Sequence, residues 1–247
     1  MAKKLFVRFS TSQDEKDIFG FYKDNQHTFV FQRDPEVWKE RIAAGAVTII
    51  HDENGKIVAS SISYPITQKD ANGNEVHQWT EIGSTRVALE GIGLFDAMAS
   101  AQIVRAYLLE PPKDRFVLEI ILGNSHSKYV FTKLGATLYT IPSDLAKKVK
   151  STIAPGSGKD PVEWFQIGAE AIPAIAKKLV DAEKNNTLVN KKTGEKYELD
   201  FSRCALMTTF KDEVKDLANE NFGDAAKPDY TRVLKASSAK PKQHDPK

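Results

Sequence analysis

Residues 81–94 read EIGSTRVALEGIGL, and this stretch decides the fold. The part up to Val87 is typical of a β-strand, and Leu94 begins a helix whose apolar residues recur at helical spacing. Gly91 and Gly93 lie between the two elements. Glycines at such a point let the backbone approach a diphosphate, whose charge is favoured by free amides and the helix dipole. The stretch therefore predicts a strand, a glycine loop and an amphipathic helix that together can hold a phosphorylated ligand.

The elements around this stretch follow from hydrophobic pattern and turn residues. A nearly continuous apolar run over residues 116–122 is typical of a central strand covered on both faces. A short helix from Ser127 ends at Gly135, which is a typical helix C-terminal glycine. Upstream, the pattern predicts a strand over 5–9, a helix through 18–22, a helix beginning at Pro35 and a hairpin over 46–64.

Beyond residue 135 the sequence predicts several further elements and three parts of the chain. We expect a strand over 136–141, a flexible break at 156–161, an amphipathic helix over 162–184 and a strand over 197–207. Trp164 and Phe165 on that helix are candidates to cover a cleft or contact a partner. The parts are a core over 1–142, a helical insertion plus the probable final strand over 143–224, and a disordered tail over 225–247.

This order of elements resembles the GNAT family of acyl-CoA-dependent N-acyltransferases over about residues 5–141. In that family an acidic fourth strand, often Glu-Leu-Gly-Ser-x-x-Val, leads into the glycine loop, and residues 81–87 are similar to it. A second family block, Asn-x-x-Ala-x-x-x-Tyr-x-Lys-x-Gly-Phe, is similar to residues 124–136. The resemblance implies an α/β fold with a GNAT-like mixed central sheet flanked by helices, a C-terminal helical insertion and a disordered tail.

The resemblance also implies acetyl-CoA or another acyl-CoA as co-substrate, and no metal. Three positions depart from the family pattern: Ala88 where Arg or Gln is usual, Glu90 beside the expected pyrophosphate, and Phe131 where the family has a tyrosine. The residues that the resemblance assigns to the coenzyme are Arg86, Val87, Leu89, Gly91, Ile92, Gly93, Leu94, Asn124, Phe131 and Lys133.

The candidate catalytic residues are Glu81, which the resemblance implies, and Ser127, which is a candidate from its position on the predicted helix. A glutamate on the fourth strand often serves as the base toward the attacking ammonium, and partial burial in a cleft would raise its pKa for that work. The alternative is a structural Glu81 paired with a cation, and Glu119 in the central strand is a second candidate carboxylate. Ser127 lies one turn before Phe131, so the acid for the departing thiolate is this serine, water or another tyrosine, or the role is lost.

The expected function is direct transfer of an acetyl or other acyl group from coenzyme A to an amine of a small molecule or of a protein lysine or N-terminus. Two alternatives remain open: a catalytically degenerate GNAT-like binding protein, and a longer-chain acyltransferase like the acyl-homoserine-lactone synthases. Aromatic residues in the acceptor region favour an acceptor with an apolar part; they are Phe19, Phe21, Tyr22, Phe29, Phe31 and Trp38.

Composition limits the partners and the compartment. The formal net charge of +2 argues against nucleic-acid and membrane partners, and no apolar run approaches the roughly 20 residues of a membrane span. Cys204 is the single cysteine, which excludes an internal disulfide and a cysteine-based metal cluster. His77 and His126 lack a second ligand at metal spacing. We expect a cytoplasmic protein, with a homo-oligomer left open.

Overall fold

Nine strands form one mixed sheet within residues 2–110, 115–155 and 157–220, which are the residues that the computed structural model describes. The strands are β1 (Lys3–Phe9), β2 (Val47–Asp52), β3 (Ile57–Lys69), β4 (Glu75–Val87), β5 (Arg115–Ile121), β6 (Thr137–Leu138), β7 (Val162–Gly168), β8 (Thr187–Val189) and β9 (Lys196–Asp200). Their order in the sheet is β6-β7-β5-β4-β3-β2-β1-β9-β8. The expected tail over 225–247 lies outside the described residues.

The described part of the chain contains eight α-helices, of which α8 packs on α6 and α7. They are α1 (Glu15–Asp24), α2 (Pro35–Ala43), α3 (Leu94–Leu109), α4 (Ser125–Lys133), α5 (Ser143–Ser151), α6 (Ile172–Lys184), α7 (Ala205–Thr208) and α8 (Lys211–Asn219). The predicted start of α2 is confirmed, since the Asp34 carboxylate accepts a hydrogen bond from the Glu36 amide at 2.9 Å. The predicted mixed sheet flanked by helices is also confirmed.

Helix α3 is buried on all sides, not on one face as an amphipathic helix would be. Of its sixteen residues, only Asp96 and Leu109 are not buried. One side of the helix packs on the sheet and another on α6, so that it forms the centre of the main hydrophobic core. A helix that is apolar all round requires such a covered position. The glycine loop is therefore attached to a rigid element.

The helix predicted over 162–184 is wrong in its first part, because residues 162–168 form strand β7. These residues alternate between the two faces of the sheet and include Val162, Trp164, Phe165 and Ile167, which are residue types favoured in strands. β7 pairs antiparallel with β5 along its whole length, from Arg115 opposite Gly168 to Ile121 opposite Val162. Strands from both sides of residue 142 thus belong to one sheet.

The strand predicted over 197–207 is also corrected. Residues 196–200 form β9, which pairs in parallel with β1 at the far edge of the sheet, while residues 205–208 form the short helix α7. The strand expected over 136–141 is reduced to Thr137–Leu138. Helix α5 was not predicted; its buried Leu145 and Val149 lie one turn apart, which is a weak pattern in a nine-residue helix.

The two central parallel strands pair over a short distance and then separate. β4 and β5 are in register only at Thr80 opposite Phe116 and Glu81 opposite Val117. Beyond these pairs, the residues over 82–85 and 118–121 line a small cavity between the two strands. The divergence of β4 and β5 therefore creates a cleft in the middle of the sheet.

A buried ion pair lies at the point where β4 and β5 separate. The Arg33 guanidinium donates from both terminal nitrogens to the carboxylate of Glu81, with the second contact at 3.1 Å. Arg33 is 6% exposed and Glu81 is 0% exposed. The guanidinium also lies over the Tyr64 ring, 4.6 Å from its centroid, and donates to the hydroxyl of Thr152. The pair joins the α1–α2 connection to β4, β3 and the end of α5.

Arg33→Met is expected to lower the free energy of unfolding by about 3–5 kcal/mol, because it leaves a buried carboxylate unpaired. Arg33→Met combined with Glu81→Leu removes both charges and should recover most of that loss. Urea unfolding measures both values. As a control, Lys39→Met breaks the exposed Lys39–Glu36 pair and should leave stability nearly unchanged. A double variant as unstable as the single one would show that the pair is not the source of the loss.

Candidate active site

The small cavity between β4 and β5 has a volume of about 40 Å³ and polar groups on several sides. Gly83 and Ser84 of β4 form one wall, and Glu119 of β5 forms another. Asn124 and Ser127, at the start of α4, close one end. The cavity thus brings together residues from the two sequence blocks on which the resemblance depends.

Glu119 is a buried carboxylate without a hydrogen-bond partner. Both of its side-chain oxygens are inaccessible, and neither is within hydrogen-bond reach of another group in the described residues. Burial, and secondarily the nearby charge of Glu81, raise the pKa of Glu119 to about 7, while Arg33 and Lys150 oppose the rise. A carboxyl group with such a pKa can both accept and release a proton near neutral pH.

Glu81 differs from the sequence-based expectation of a half-buried carboxylate. It is completely buried, and both oxygens are bound by Arg33. Burial raises the pKa of Glu81, and the Arg33 guanidinium opposes this rise. The adjacent Gly83 leaves no spare room, since a Cβ there would lie 2.8 Å from a Glu81 oxygen. If Glu81 is a structural residue paired with a cation, that cation is Arg33. The catalytic role of Glu81 stays a prediction.

Strand β4 carries a bulge next to the small cavity. The register with β3 shifts between Arg86 opposite Ser60 and Gly83 opposite Ile62, so β4 has one residue more than its partner. Within the bulge, Ser84 has a left-handed φ of 48°, which is uncommon for a residue other than glycine.

Two tyrosines hold this strained residue in place. The Tyr22 hydroxyl donates to the Ser84 carbonyl, and the Tyr64 hydroxyl is 2.9 Å from the Ser84 Oγ. Trp38 Nε1 in turn donates to the Tyr64 hydroxyl at 2.9 Å. Strained backbone that is fixed by several buried partners is frequent at functional sites. The network orients the backbone of β4 toward the cleft.

The predicted glycine loop lies between β4 and α3. Gly91 and Gly93 have φ values of 81° and 79°, and both glycines are exposed, while Ile92 and Leu94 point into the core. Within the described residues, no acceptor receives a hydrogen bond from the amides of 91–94. Val87 and Leu89 pack against the main core instead of lining the loop surface. The loop therefore offers free amides at the start of a helix.

Arg86 is already bound to protein groups. Its Nε donates to the Asn25 carbonyl at 3.1 Å, its Nη1 donates to the Val87 carbonyl at 2.9 Å, and the carboxylate of Glu90 is 3.9 Å away. The side chain thus fastens the end of α1 to the end of β4. The contact of Arg86 with the coenzyme stays a prediction. It requires Arg86 to give up its hydrogen bonds to the Asn25 and Val87 carbonyls.

The start of α4 faces the start of α3. The Asn124 side chain accepts a hydrogen bond from the Ser127 amide at 3.1 Å, which caps α4. Phe131 is buried and meets Phe95 of α3 edge-on at 5.5 Å, whereas the predicted coenzyme contact Lys133 is exposed on the last turn of α4. Asn124, Ser127 and Phe131 line the small cavity. Their roles toward a coenzyme and a thiolate stay predictions.

A second, larger cavity of about 920 Å³ lies beside the first, between α1, the α1–α2 connection and the segment after α5. Four of the aromatic residues that the sequence marked line it: Phe19, Tyr22, Phe31 and Trp38. Phe29 lines the small cavity, and Phe21 is buried in a core cluster. Val30, Phe31 and Arg33 line both cavities, which makes the two cavities neighbours.

Sequence reasoning did not identify Arg33, although it contacts both the paired carboxylate and both cavities. Arg33 precedes the cap of α2 in a polar connection, and nothing in its neighbours distinguishes it from a solvated arginine. The available signal was indirect: a glutamate inside a buried strand requires a cation from elsewhere.

Within the described ranges, no group of three or more His, Cys, Asp or Glu side chains is placed to hold a metal ion. None of the helices in the described part of the chain is long and apolar enough to cross a membrane.

Comparisons with known proteins find similarity in structure alone. No protein-family model matches the chain, and no curated protein sequence matches it. An acetyltransferase of the GNAT family from Streptococcus pneumoniae aligns with a TM-score of 0.47 at 12% identity, over 66% of this chain and 98% of its own.

Two further solved structures are similar at the same level. The diaminobutyrate acetyltransferase from Paenibacillus lautus, solved with L-2,4-diaminobutyric acid and coenzyme A, aligns with a TM-score of 0.46 at 12% identity, over 68% of this chain and 96% of its own. A phosphinothricin acetyltransferase from Sinorhizobium meliloti, solved with acetyl-CoA, aligns with a TM-score of 0.48 at 16% identity, over 68% of this chain and 89% of its own. The resemblance implied a mixed central sheet flanked by helices and a glycine loop between the fourth strand and the next helix, and the described residues contain both. On these features the chain has a GNAT-like fold.

Proposed function

We propose that this protein transfers a short acyl group from coenzyme A to an amine by direct attack within the cleft between β4 and β5. The observation that carries the proposal is Glu119, a buried and unpartnered carboxylate with a pKa near 7 that lines the cleft. A carboxylate that no protein group binds is costly to bury. Buried carboxylates of this kind are frequent at functional sites, where they bind a substrate or take up a proton.

The glycine loop is suited to hold the diphosphate of an acyl-CoA co-substrate. Its amides over 91–94 are free, and they lie at the N-terminus of α3, where the helix dipole favours negative charge. Glu90 is largely exposed, so its charge can stay in water while the amides face the ligand. Arg86 lies close enough to Glu90 to lower the negative potential of the loop.

In the proposed reaction, Glu119 accepts the proton that the acceptor amine loses as its nitrogen attacks the thioester carbonyl. The amides of the β4 bulge around Ser84 and Thr85 donate to the carbonyl oxygen, which gains negative charge. The C–S bond then breaks, and the departing thiolate takes a proton from water, either directly or through the Ser127 hydroxyl, which water then reprotonates. Arg33 and Glu81 do not react; they hold the separation of the strands in which these groups meet.

The size of the small cavity favours a short acyl group. A volume of about 40 Å³ accommodates only a few non-hydrogen atoms, since one water molecule occupies roughly 30 Å³ in the liquid. Phe29, Phe31 and Phe131 border this space, so an acyl group in it lies against aromatic rings. Acetyl-CoA is therefore the co-substrate that we propose.

One alternative is a GNAT-like binding protein that has lost catalysis. It is favoured by Phe131, which takes the place of the family tyrosine and packs against Phe95 without a titratable group. This alternative keeps coenzyme binding at the glycine loop but assigns no proton transfer to Glu119. Binding and turnover, measured separately, therefore distinguish the two functions.

Gly93→Glu is expected to weaken acetyl-CoA binding by at least about tenfold, equivalent to roughly 1.4 kcal/mol, because it places a negative side chain beside the diphosphate. Gly73→Glu is the matched control: Gly73 lies in the β3–β4 turn with a similar φ of 84° and no atom within 4 Å of an added Cβ. Both variants carry the same backbone cost, so only the location differs. Calorimetry with acetyl-CoA measures the affinity, and equal affinity in the two variants would contradict the proposed diphosphate site.

Glu119→Gln is expected to lower kcat/KM by about 10²–10⁴, the usual contribution of a positioned general base. In the wild type, kcat/KM should rise with pH to a plateau with an apparent pKa of about 7, because Glu119 must be ionised to accept a proton. The variant should lack this rise. Glu53→Gln, in the exposed β2–β3 turn, is the control and should keep the wild-type profile.

Stability supplies an independent measurement on the same variant. Because the folded-state pKa of Glu119 exceeds its ordinary value of 4.5, wild-type stability should fall as pH rises from about 4.5 to 7. Glu119→Gln removes this fall, so the variant should be the more stable protein at pH 8. A variant that is less stable at pH 8 and normally active per folded molecule would refute the base assignment.

A further inference from the structure

The large cavity has a one-sided charge. Among the described residues that line it there is no aspartate or glutamate, while Lys23 and His27 are basic. Arg33 also lines it, but Glu81 compensates its charge. Lys23 is exposed, and no carboxylate in the described part of the chain pairs with it. The cavity therefore offers one uncompensated ammonium group and no anionic partner for a second cation.

The inner wall of the same cavity is aromatic. The Trp38 ring lies 5.3 Å from the Phe19 ring and 4.5 Å from the Tyr22 ring, measured between centroids. All three residues line the cavity, with Phe19 more exposed than the buried Tyr22 and Trp38. Aromatic surfaces of this kind bind aromatic groups through stacking and burial of apolar area.

The basic residue Lys23 and one of the aromatic residues, Tyr22, lie next to each other on α1. Tyr22 and Lys23 are consecutive residues of α1, with Tyr22 buried and Lys23 exposed. A ligand that packs on the rings can therefore place a charged group near Lys23 at the rim. Val30, Phe31 and Arg33 line both this cavity and the cavity that contains Glu119, so the amine of a bound ligand can reach the second cavity.

We infer that the large cavity selects an acceptor amine that carries both an aromatic group and an anionic group, of the kind found in an aromatic α-amino acid. This inference rests on the proposed function for the identity of the reacting amine. The rings bind the aromatic group, Lys23 pairs with the carboxylate, and the amine points toward Glu119. Polyamines are disfavoured, because the described lining contains no carboxylate to pair with their additional ammonium groups.

Calorimetry with four acceptor probes, each with and without coenzyme A, tests the inference. The probes are L-phenylalanine; phenethylamine, which lacks the carboxylate; L-alanine, which lacks the ring; and spermidine. L-phenylalanine is expected to bind at least about tenfold more tightly than each of the others, a difference of roughly 1.4 kcal/mol. Equal or tighter binding of phenethylamine or spermidine, or no binding of L-phenylalanine under either condition, overturns the inference.

Lys23→Ala locates the carboxylate contact. The variant should bind L-phenylalanine no more tightly than it binds phenethylamine, while its affinity for phenethylamine stays unchanged. Lys16→Ala is the matched control, because Lys16 is an exposed residue of α1 two turns earlier and does not line the cavity. Preserved discrimination in Lys23→Ala would assign the preference to another residue and overturn the role of Lys23.

The same samples distinguish failure of this inference from failure of the proposed function. Acetyl-CoA binding and coenzyme A release are measured beside acceptor binding. Tight L-phenylalanine binding without any acetyl transfer would overturn the acyltransferase function and support the acceptor class. Acetyl transfer that prefers spermidine would support the function and overturn the acceptor class.

Discussion

The buried ion pair between Arg33 and Glu81 is the constraint on which the site depends. It lies where β4 and β5 stop pairing, and it is shielded by the Tyr64 ring. Through Arg33 it fastens the α1–α2 connection, which forms a wall of both cavities. A buried pair of this kind contributes little net stability compared with apolar residues, but it tolerates only one geometry. We interpret it as the element that keeps the cleft open at a fixed width.

The two glutamates of the cleft lie on neighbouring strands but have opposite environments. Each carboxylate oxygen of Glu81 accepts a hydrogen bond from Arg33, whereas the Glu119 oxygens accept none in the described residues. Their mutual repulsion contributes to the raised pKa of Glu119, and both terminal nitrogens of Arg33 donate to Glu81. One carboxylate is thus bound by a guanidinium, and the other is the group to which we assign the proton transfer in the proposed reaction.

The sequence was sufficient to predict the sheet, the glycine loop and the cap of α2, because local turn chemistry and hydrophobic pattern determine these features. It was insufficient for β7, whose alternating residues also fit one face of a helix, and for α3, whose burial depends on α6 packing over it. The bulge at Ser84 and the partner of Glu81 are determined by residues far away in the chain, such as Tyr22 and Arg33. For this reason the sequence pointed to the cleft between β4 and β5, but within it to the carboxylate that Arg33 already binds.

The parallel pairing of β1 with β9 has a consequence for how the chain acquires its structure. Lys3 is in register with Tyr197, and Phe6 with Asp200, so β1 is paired on one side with a strand that comes far later in the chain. Contacts between residues so distant in sequence slow folding, because a long loop must close before they form. Until residues 196–200 are synthesised, β1 has only β2 as a neighbour, and its other edge is open to other chains. β9 therefore protects an edge that would otherwise be a site of aggregation.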